Sequence, residues 1–214
     1  MMTRHYTPLD QLVMNFDQAL RTLAGRPLVT ERPDPAEGVG EGELSEAEKT
    51  ESMRLMRVNH SGEVAAQALY QGQALTAKLP EVRERMERAA AEENDHLAWC
   101  EKRVHALDGH LSYLNPLWYA GSFAIGATAG LAGDKWSLGF VAETECQVIE
   151  HLDEHLKKIS PKDRKSRAVL EQMKVDEAHH GELAKAAGGV ELPAPVKALM
   201  GVTSRIMTGM AYWL

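Results

Sequence analysis

A chain of 214 residues that is 44% hydrophobic can bury one sizeable core, and its length asks for no second domain. The formal net charge of −7 excludes a general nucleic-acid binder. Two cysteines, Cys100 and Cys146, stand at no metal or redox spacing, which makes a reducing compartment the default.

Residues 1–26 hold an N-terminal helix from Asp10 to Leu23, with Leu12, Val13, Phe16, Leu20 and Leu23 on one side, which predicts packing on a larger body. No apolar signal run precedes it, and Asp10 and Asp17 are poor for a transit peptide. Residues 27–44 read as a flexible acidic linker, because Pro33, Pro35, Gly38, Gly40 and Gly42 interrupt it and no apolar period runs through it. The GVGEG string inside it is no nucleotide loop, since no strand precedes it.

The helical domain spans 45–214. Its first helix opens at Ser45, whose hydroxyl can cap backbone N–H groups while Glu48 reaches back, and runs to about Lys78. The second starts at Pro80, where a missing N–H costs little, and ends before Gly109. From Leu111 to Gly133 no side chain is charged, but Asn115, Pro116, four glycines and many alanines weaken any drive to span a bilayer. This segment is read as the long crossover of a bundle, with Gly126-x-x-x-Gly130 allowing close approach to a neighbouring helix or facing lipid. A further helix carries Glu145, and another begins at Ser160-Pro161 and fades at Gly188-Gly189. The last, after Pro193 and Pro195, aligns Val196, Leu199, Ile206, Met210, Trp213 and Leu214, a stripe that suits either a core or a membrane interface. Lys157, Lys158, Lys162, Arg164, Lys165 and Arg167 form either a solvated loop or an anionic-lipid contact.

Two Glu-x-x-His pairs, Glu93 with His96 and Glu177 with His180, each follow a single carboxylate, Glu63 and Glu145, by about 30 residues. Residues three apart on a helix lie one above the other, so each pair offers a carboxylate and an imidazole to one point. With a turn near Leu79 and Pro80, Glu63 lies about 16 residues before it and Glu93 about 14 after, level at roughly 1.5 Å per residue. A turn near Ser160 makes Glu145 and Glu177 level in the same way. One such pair is a weak signal, but two with level partners match the ligand arrangement of four-helix di-iron carboxylate bundles. The expected fold class is therefore all-α, a ferritin-like four-helix bundle with a long crossover and additional N- and C-terminal helices. Four carboxylates and two imidazoles without thiolate suit iron or manganese better than structural zinc, and leave positions open for dioxygen or water.

The strings MRVNHSGEVAAQALYQGQ around Glu63, EENDH, NPLWYAGSFAIGATAGLAGDKW, ECQVIEH and VDEAHHGE resemble the demethoxyubiquinone hydroxylases of ubiquinone biosynthesis over about residues 50–214. The resemblance implies two iron ions per chain, held by Glu63, Glu93, His96, Glu145, Glu177 and His180 with Glu93 and Glu177 bridging. It implies hydroxylation of a demethoxy polyprenyl benzoquinol with dioxygen, and peripheral attachment to the membrane that holds this substrate, on the cytoplasmic side of a bacterial inner membrane. His151 matches a family histidine near the centre that couples electron and proton delivery; some members follow it with tyrosine, whereas this chain has Leu152. Helical phase turns Glu92, Glu143, Asp176 and His179 away from the site.

No Gly-rich βαβ unit supplies a nicotinamide or flavin, so the reductant is external, NADH or a partner reductase, and other ubiquinone-biosynthesis proteins are candidate partners. Two other readings use the same bundle: a soluble di-metal ferroxidase or catalase-like oxidoreductase, and a non-catalytic lipid-carrying subunit. The uncharged crossover and apolar last helix favour the hydroxylase over the first, and open coordination counts against the second.

Overall fold

The computed structural model describes residues 8–24, 29–30 and 32–214, so residues 1–7 of the expected N-terminal segment, and 25–28 and 31 around the start of the expected linker, lie outside the described residues. Among the described residues there are seven helices and no strand: α1 (Pro8–Ala24), α2 (Glu46–Thr76), α3 (Pro80–Ala106), α4 (Asn115–Ala132), α5 (Asp134–Lys158), α6 (Arg164–Ala186) and α7 (Ala194–Trp213). Helices α2 and α3 fold back on one another through a short turn, as do α5 and α6, and α3 meets α6 while α2 meets α5. This is the ferritin-like bundle, with α4 as the crossover and α1 and α7 as the additional terminal helices.

Local chemistry sets the helix ends. Ser45 and Glu48 form the expected capping box, and Pro80 occupies the first turn of α3. Asp134, at the start of α5, accepts from the backbone N–H groups of Lys78 (3.0 Å) and Leu79 (2.9 Å), pinning the α2–α3 turn to the end of the crossover. Helix α6 starts later than the Ser160-Pro161 signal predicts. Asp163 is its cap, accepting from Ser166 N at 2.9 Å and from Arg103 Nη2 at 2.7 Å, while Ser160 Oγ donates instead to Glu48.

The glycines of the crossover are used for close approach. A Cβ on Gly126 would lie 2.1 Å from the Leu69 carbonyl oxygen, and one on Gly72 would lie 2.2 Å from that of Phe123, so α4 rests on α2 backbone to backbone. Helix α1 touches α2 and α4. Ala19 and Leu23 pack near Val64 and Leu97, whereas Val13, Phe16 and Leu20 stay exposed.

Within the bundle, two large apolar plugs sandwich a polar layer, and a smaller buried cluster of Val64, Ala68, Leu97 and Tyr119 lies where α4 meets it. One plug gathers Leu55, Met56, Trp99, Cys100, Leu152, Leu170 and Met173; the other gathers Tyr70, Ala74, Val82, Met86, Leu138, Val141 and Ala184. On each of the four bundle helices the chain passes from one plug to the other, and Glu63, Glu93, His96, Glu145, Glu177 and His180 fall in between. The described residues of the 27–44 segment lie along α3 and α6: Thr30 and Arg32 reach Asp95, Asp34 pairs with Lys102 at 2.6 Å, and Gly42 N donates to the Lys162 carbonyl at 3.1 Å.

Candidate metal centre

All six expected ligands are buried, and the four glutamates are at most 4% exposed. Unpaired carboxylates at that depth would be prohibitively costly, so something positive must compensate them. The donor atoms fall into two overlapping groups, Glu63, Glu93, His96 and Glu177, and Glu93, Glu145, Glu177 and His180, each with its atoms within 4.8 Å of one another. Glu93 and Glu177 belong to both.

Their two oxygens are divided between the histidines. Glu93 Oε2 lies 2.9 Å from His96 Nδ1 and its Oε1 3.3 Å from His180 Nδ1. Glu177 Oε1 lies 3.1 Å from His96 Nδ1 and its Oε2 3.2 Å from His180 Nδ1. Glu63 stands on the His96 side, with Oε2 3.6 Å from Nδ1. Among the described residues, Glu145 Oε1 is buried and accepts no hydrogen bond, and buried Glu93 Oε1 has no well-aligned donor, His180 Nδ1 at 3.3 Å being its nearest imidazole nitrogen. Orphaned carboxylate oxygens converging with two imidazole nitrogens are what a pair of cations would satisfy, so the donor set fits a dinuclear metal site.

The electrostatics agree. Burial, with Glu93 beside it, raises the Glu63 carboxyl well above the usual range, and burial with Glu177 does the same to Glu145. Burial disfavours imidazolium, yet Glu177 and Glu93 push His180 up to about 12, and Glu93, Asp176, Glu177 and Glu63 hold His96 well above its ordinary value. A proton on such a ring would stand in for the positive charge that divalent ions bring, and metal uptake would release it.

The outer nitrogens correct one expectation. Glu92 and Asp176 do lie off the ligand cluster, but each meets the histidine of the facing helix: His96 Nε2 is 2.9 Å from Asp176 Oδ2, and His180 Nε2 is 2.7 Å from Glu92 Oε2. An imidazole reaches across the α3–α6 seam, so a residue turned from the core on its own helix faces the far side of its neighbour's ring. Such a carboxylate takes the Nε2–H and leaves Nδ1 free for a metal. The sequence signal was a repeated acid directly before each Glu-x-x-His, Glu92 in one half and Asp176 in the other. Glu143 and His179 do stay away: Glu143 pairs with Lys197 at 3.2 Å, and His179 is exposed.

His151 belongs to neither group. Its ring lies 4.3 Å from that of His155, its Nε2 is buried without a hydrogen-bond partner, and burial holds it below the ordinary imidazole value. Leu152 beside it fills the first apolar plug.

An apolar groove of about 480 Å³ opens between α4, α5 and the start of α7, lined by Ile125, Ala129, Trp136, Phe140, Leu192 and Val196 among others. Leu117 and Leu131 on α4 and Leu199, Val202, Ile206, Met210 and Trp213 on α7 are exposed, and only Ala211 of α7 is buried. The last helix is therefore not core within this chain. No helix among the described residues is long and apolar enough to cross a membrane.

The family profile of the ubiquinone biosynthesis protein COQ7 matches residues 50–211. The chain is 63% identical over 211 residues to the 3-demethoxyubiquinol 3-hydroxylase of Nitrosococcus oceani, covering 99% of each chain. It is 56% identical to the protein of the same name from Nitrosomonas eutropha, covering 96% of this chain and 99% of that one, and 56% identical to that of Acinetobacter baumannii, covering 99% and 100%.

Proposed function

The chain belongs to the COQ7 family of ubiquinone biosynthesis proteins, and from that premise we propose how its buried centre serves 3-demethoxyubiquinol 3-hydroxylation. It is an enzyme, a hydroxylase of that quinol ring. Two iron ions per chain would be held by Glu63, Glu93, His96, Glu145, Glu177 and His180. The observation that carries this reading is the membership of Glu93 and Glu177 in both donor groups. When bound, the iron pair supplies the activation of dioxygen that a quinol ring C–H bond requires.

The chain's own residues do the rest. One oxygen atom goes to the ring and the other leaves as water, which consumes two protons and two electrons, the electrons coming from an external reductant, NADH or a partner reductase. His151, outside the ligand set and with its imidazole lowered below the ordinary value by burial, serves in that proton and electron delivery. The apolar plugs on either side of the polar layer keep bulk water from the centre.

The polyprenyl substrate is delivered from a membrane. The exposed apolar side chains of α4 and α7 and the groove at Trp136 and Phe140 support a peripheral seat on the bilayer, on the cytoplasmic side of a bacterial inner membrane. A ferroxidase or catalase on the same bundle would have no use for that surface. Quinone profiling of cells lacking the protein tests the reading. A demethoxy intermediate should accumulate and disappear on complementation with the wild-type chain but not with Glu177→Ala; unchanged ubiquinone would contradict it.

A further inference from the structure

The two halves of the centre share a plan but not their support. Asp176, which holds His96, is 14% exposed and is itself held: Arg32 Nη1 donates to its Oδ2 at 2.8 Å and Gln172 Nε2 to its Oδ1 at 2.9 Å. Glu92, which holds His180, is 37% exposed, and among the described residues His180 is its one hydrogen-bond partner.

Arg32 does more than touch Asp176. Its Nε donates to Asp95 Oδ2 at 2.6 Å, and Asp95, the residue before His96 on α3, is 1% exposed. Asp95 also accepts from Thr30 N at 2.7 Å and from the Thr30 hydroxyl. The guanidinium lies 5.0 Å from the Trp99 ring centre, and that ring lies 5.4 Å from His96. One arginine thus forks across the α3–α6 seam, one arm on each helix, beside the imidazole it supports. Thr30 and Arg32 precede the residues that the family profile matches, 50–211.

From this geometry we infer that Arg32, tied down through Thr30 and Asp95, is a positioning residue that makes the metal position at Glu63 and His96 the tighter of the two, and leaves the position at Glu145 and His180 the exchangeable one. The inference rests on the two-metal reading above. A ligand histidine whose outer carboxylate is fixed loses less freedom on binding a metal, and disturbing such outer partners changes metal affinity by about 10–100-fold. Among the described residues, only the His96 half has its outer carboxylate fixed by a fork that also grips the ligand's own helix. Charge works in the other direction: the guanidinium sits on Asp176 beside His96, so its loss would relieve repulsion of a metal there more than at the other position and widen the gap, whereas loss of the fork narrows it. The gap between the two binding steps therefore reads out position apart from charge.

The test is titration of the chelator-stripped full-length protein with cobalt(II) alone, followed by its visible absorption and by a competing chelator. Wild type should fill in two separated steps. Arg32→Ala should narrow the gap by about 10-fold or more with circular dichroism unchanged, Arg32→Lys should restore it only in part because an ammonium cannot fork, and Glu92→Gln should widen it by weakening the second step. Two equal steps in wild type, or an unchanged gap in Arg32→Ala, overturn the inference. If Arg32→Ala fails to fold, Arg32→Lys and Glu92→Gln decide it: an unmoved gap in both overturns it, and a narrowed and a widened gap respectively uphold it. A wild-type protein that binds no second metal refutes the two-metal reading instead.

Discussion

At the scale of single residues, the bundle keeps several histidines neutral for reasons unrelated to metal. Burial lowers His155 to about 3 and His60 to about 4, and His155 Nδ1 is 2.9 Å from Asn59 Oδ1. An unfolded imidazole titrates near 6.5, so between that value and the folded one the unfolded chain binds the extra proton. Stability from these groups is complete above about pH 6.5 and is lost as the pH falls toward about 4. His155→Gln should flatten this dependence: relative to pH 7.5, urea unfolding at pH 5.5 should show wild type losing about 1 kcal/mol more than the variant. Parallel pH curves for the two would contradict the assignment. His151→Ala should retain both metals while slowing reduction of the iron; loss of metal would place His151 among the ligands. The convergence of Glu63, Glu93, His96, Glu145, Glu177 and His180 was legible because helical spacing repeats the pattern twice. The outer acids were not, since Glu92 and Asp176 are wrong by phase on their own helices and become right only when the facing imidazole is known to cross the seam.

At the scale of elements, the crossover is fixed to α2 by absent side chains. Gly126→Ala would force its Cβ to 2.1 Å from a carbonyl oxygen that cannot yield without moving a helix, while a Cβ on Gly121 meets open space. Gly126→Ala should cost about 1–3 kcal/mol, and Gly121→Ala should be neutral or stabilising by up to about 1 kcal/mol. Denaturant melts of the pair check this, and equal effects would show that α4 is loosely seated. Helix starts marked by Ser45 and Pro80 could be read directly because capping is local. The start of α6 could not, because Asp163 wins over Ser160 through a long-range partner, Arg103, that no local pattern reveals. Residues 27–44 read as a linker from proline, glycine and acid, and the contacts that the described Arg32, Asp34 and Gly42 make depend on partners on or beside α3 and α6 that no local pattern reveals.

For the whole molecule, the question left open by the stripe on α7 was whether it faced the chain's own core, and its exposure answers that. Its far end is anchored: Arg57, itself buried, donates to the carbonyls of Ala211 (2.9 Å) and Tyr212 (2.6 Å). Truncating the helix would strand that guanidinium, so charged substitutions on the exposed side are the cleaner probe. Ile206→Asp with Met210→Asp should weaken binding to liposomes and turnover of long-tailed quinol, and leave metal content and turnover of a short-tailed analogue intact. Equal loss on both substrates would show a structural defect in place of a membrane seat. Periodicity cannot separate such a surface from a core stripe, since both bury one side of a helix and differ only in what covers it.

Glu93 and Glu177 are proposed to hold together two irons on which hydroxylation depends. Iron content and product formation measured side by side, on the wild-type chain and on Glu93→Ala with Glu177→Ala, test that proposal most directly. Wild type should carry two irons per chain and hydroxylate the quinol, while the double variant should lose iron and turnover together; full hydroxylation by the double variant would contradict the account.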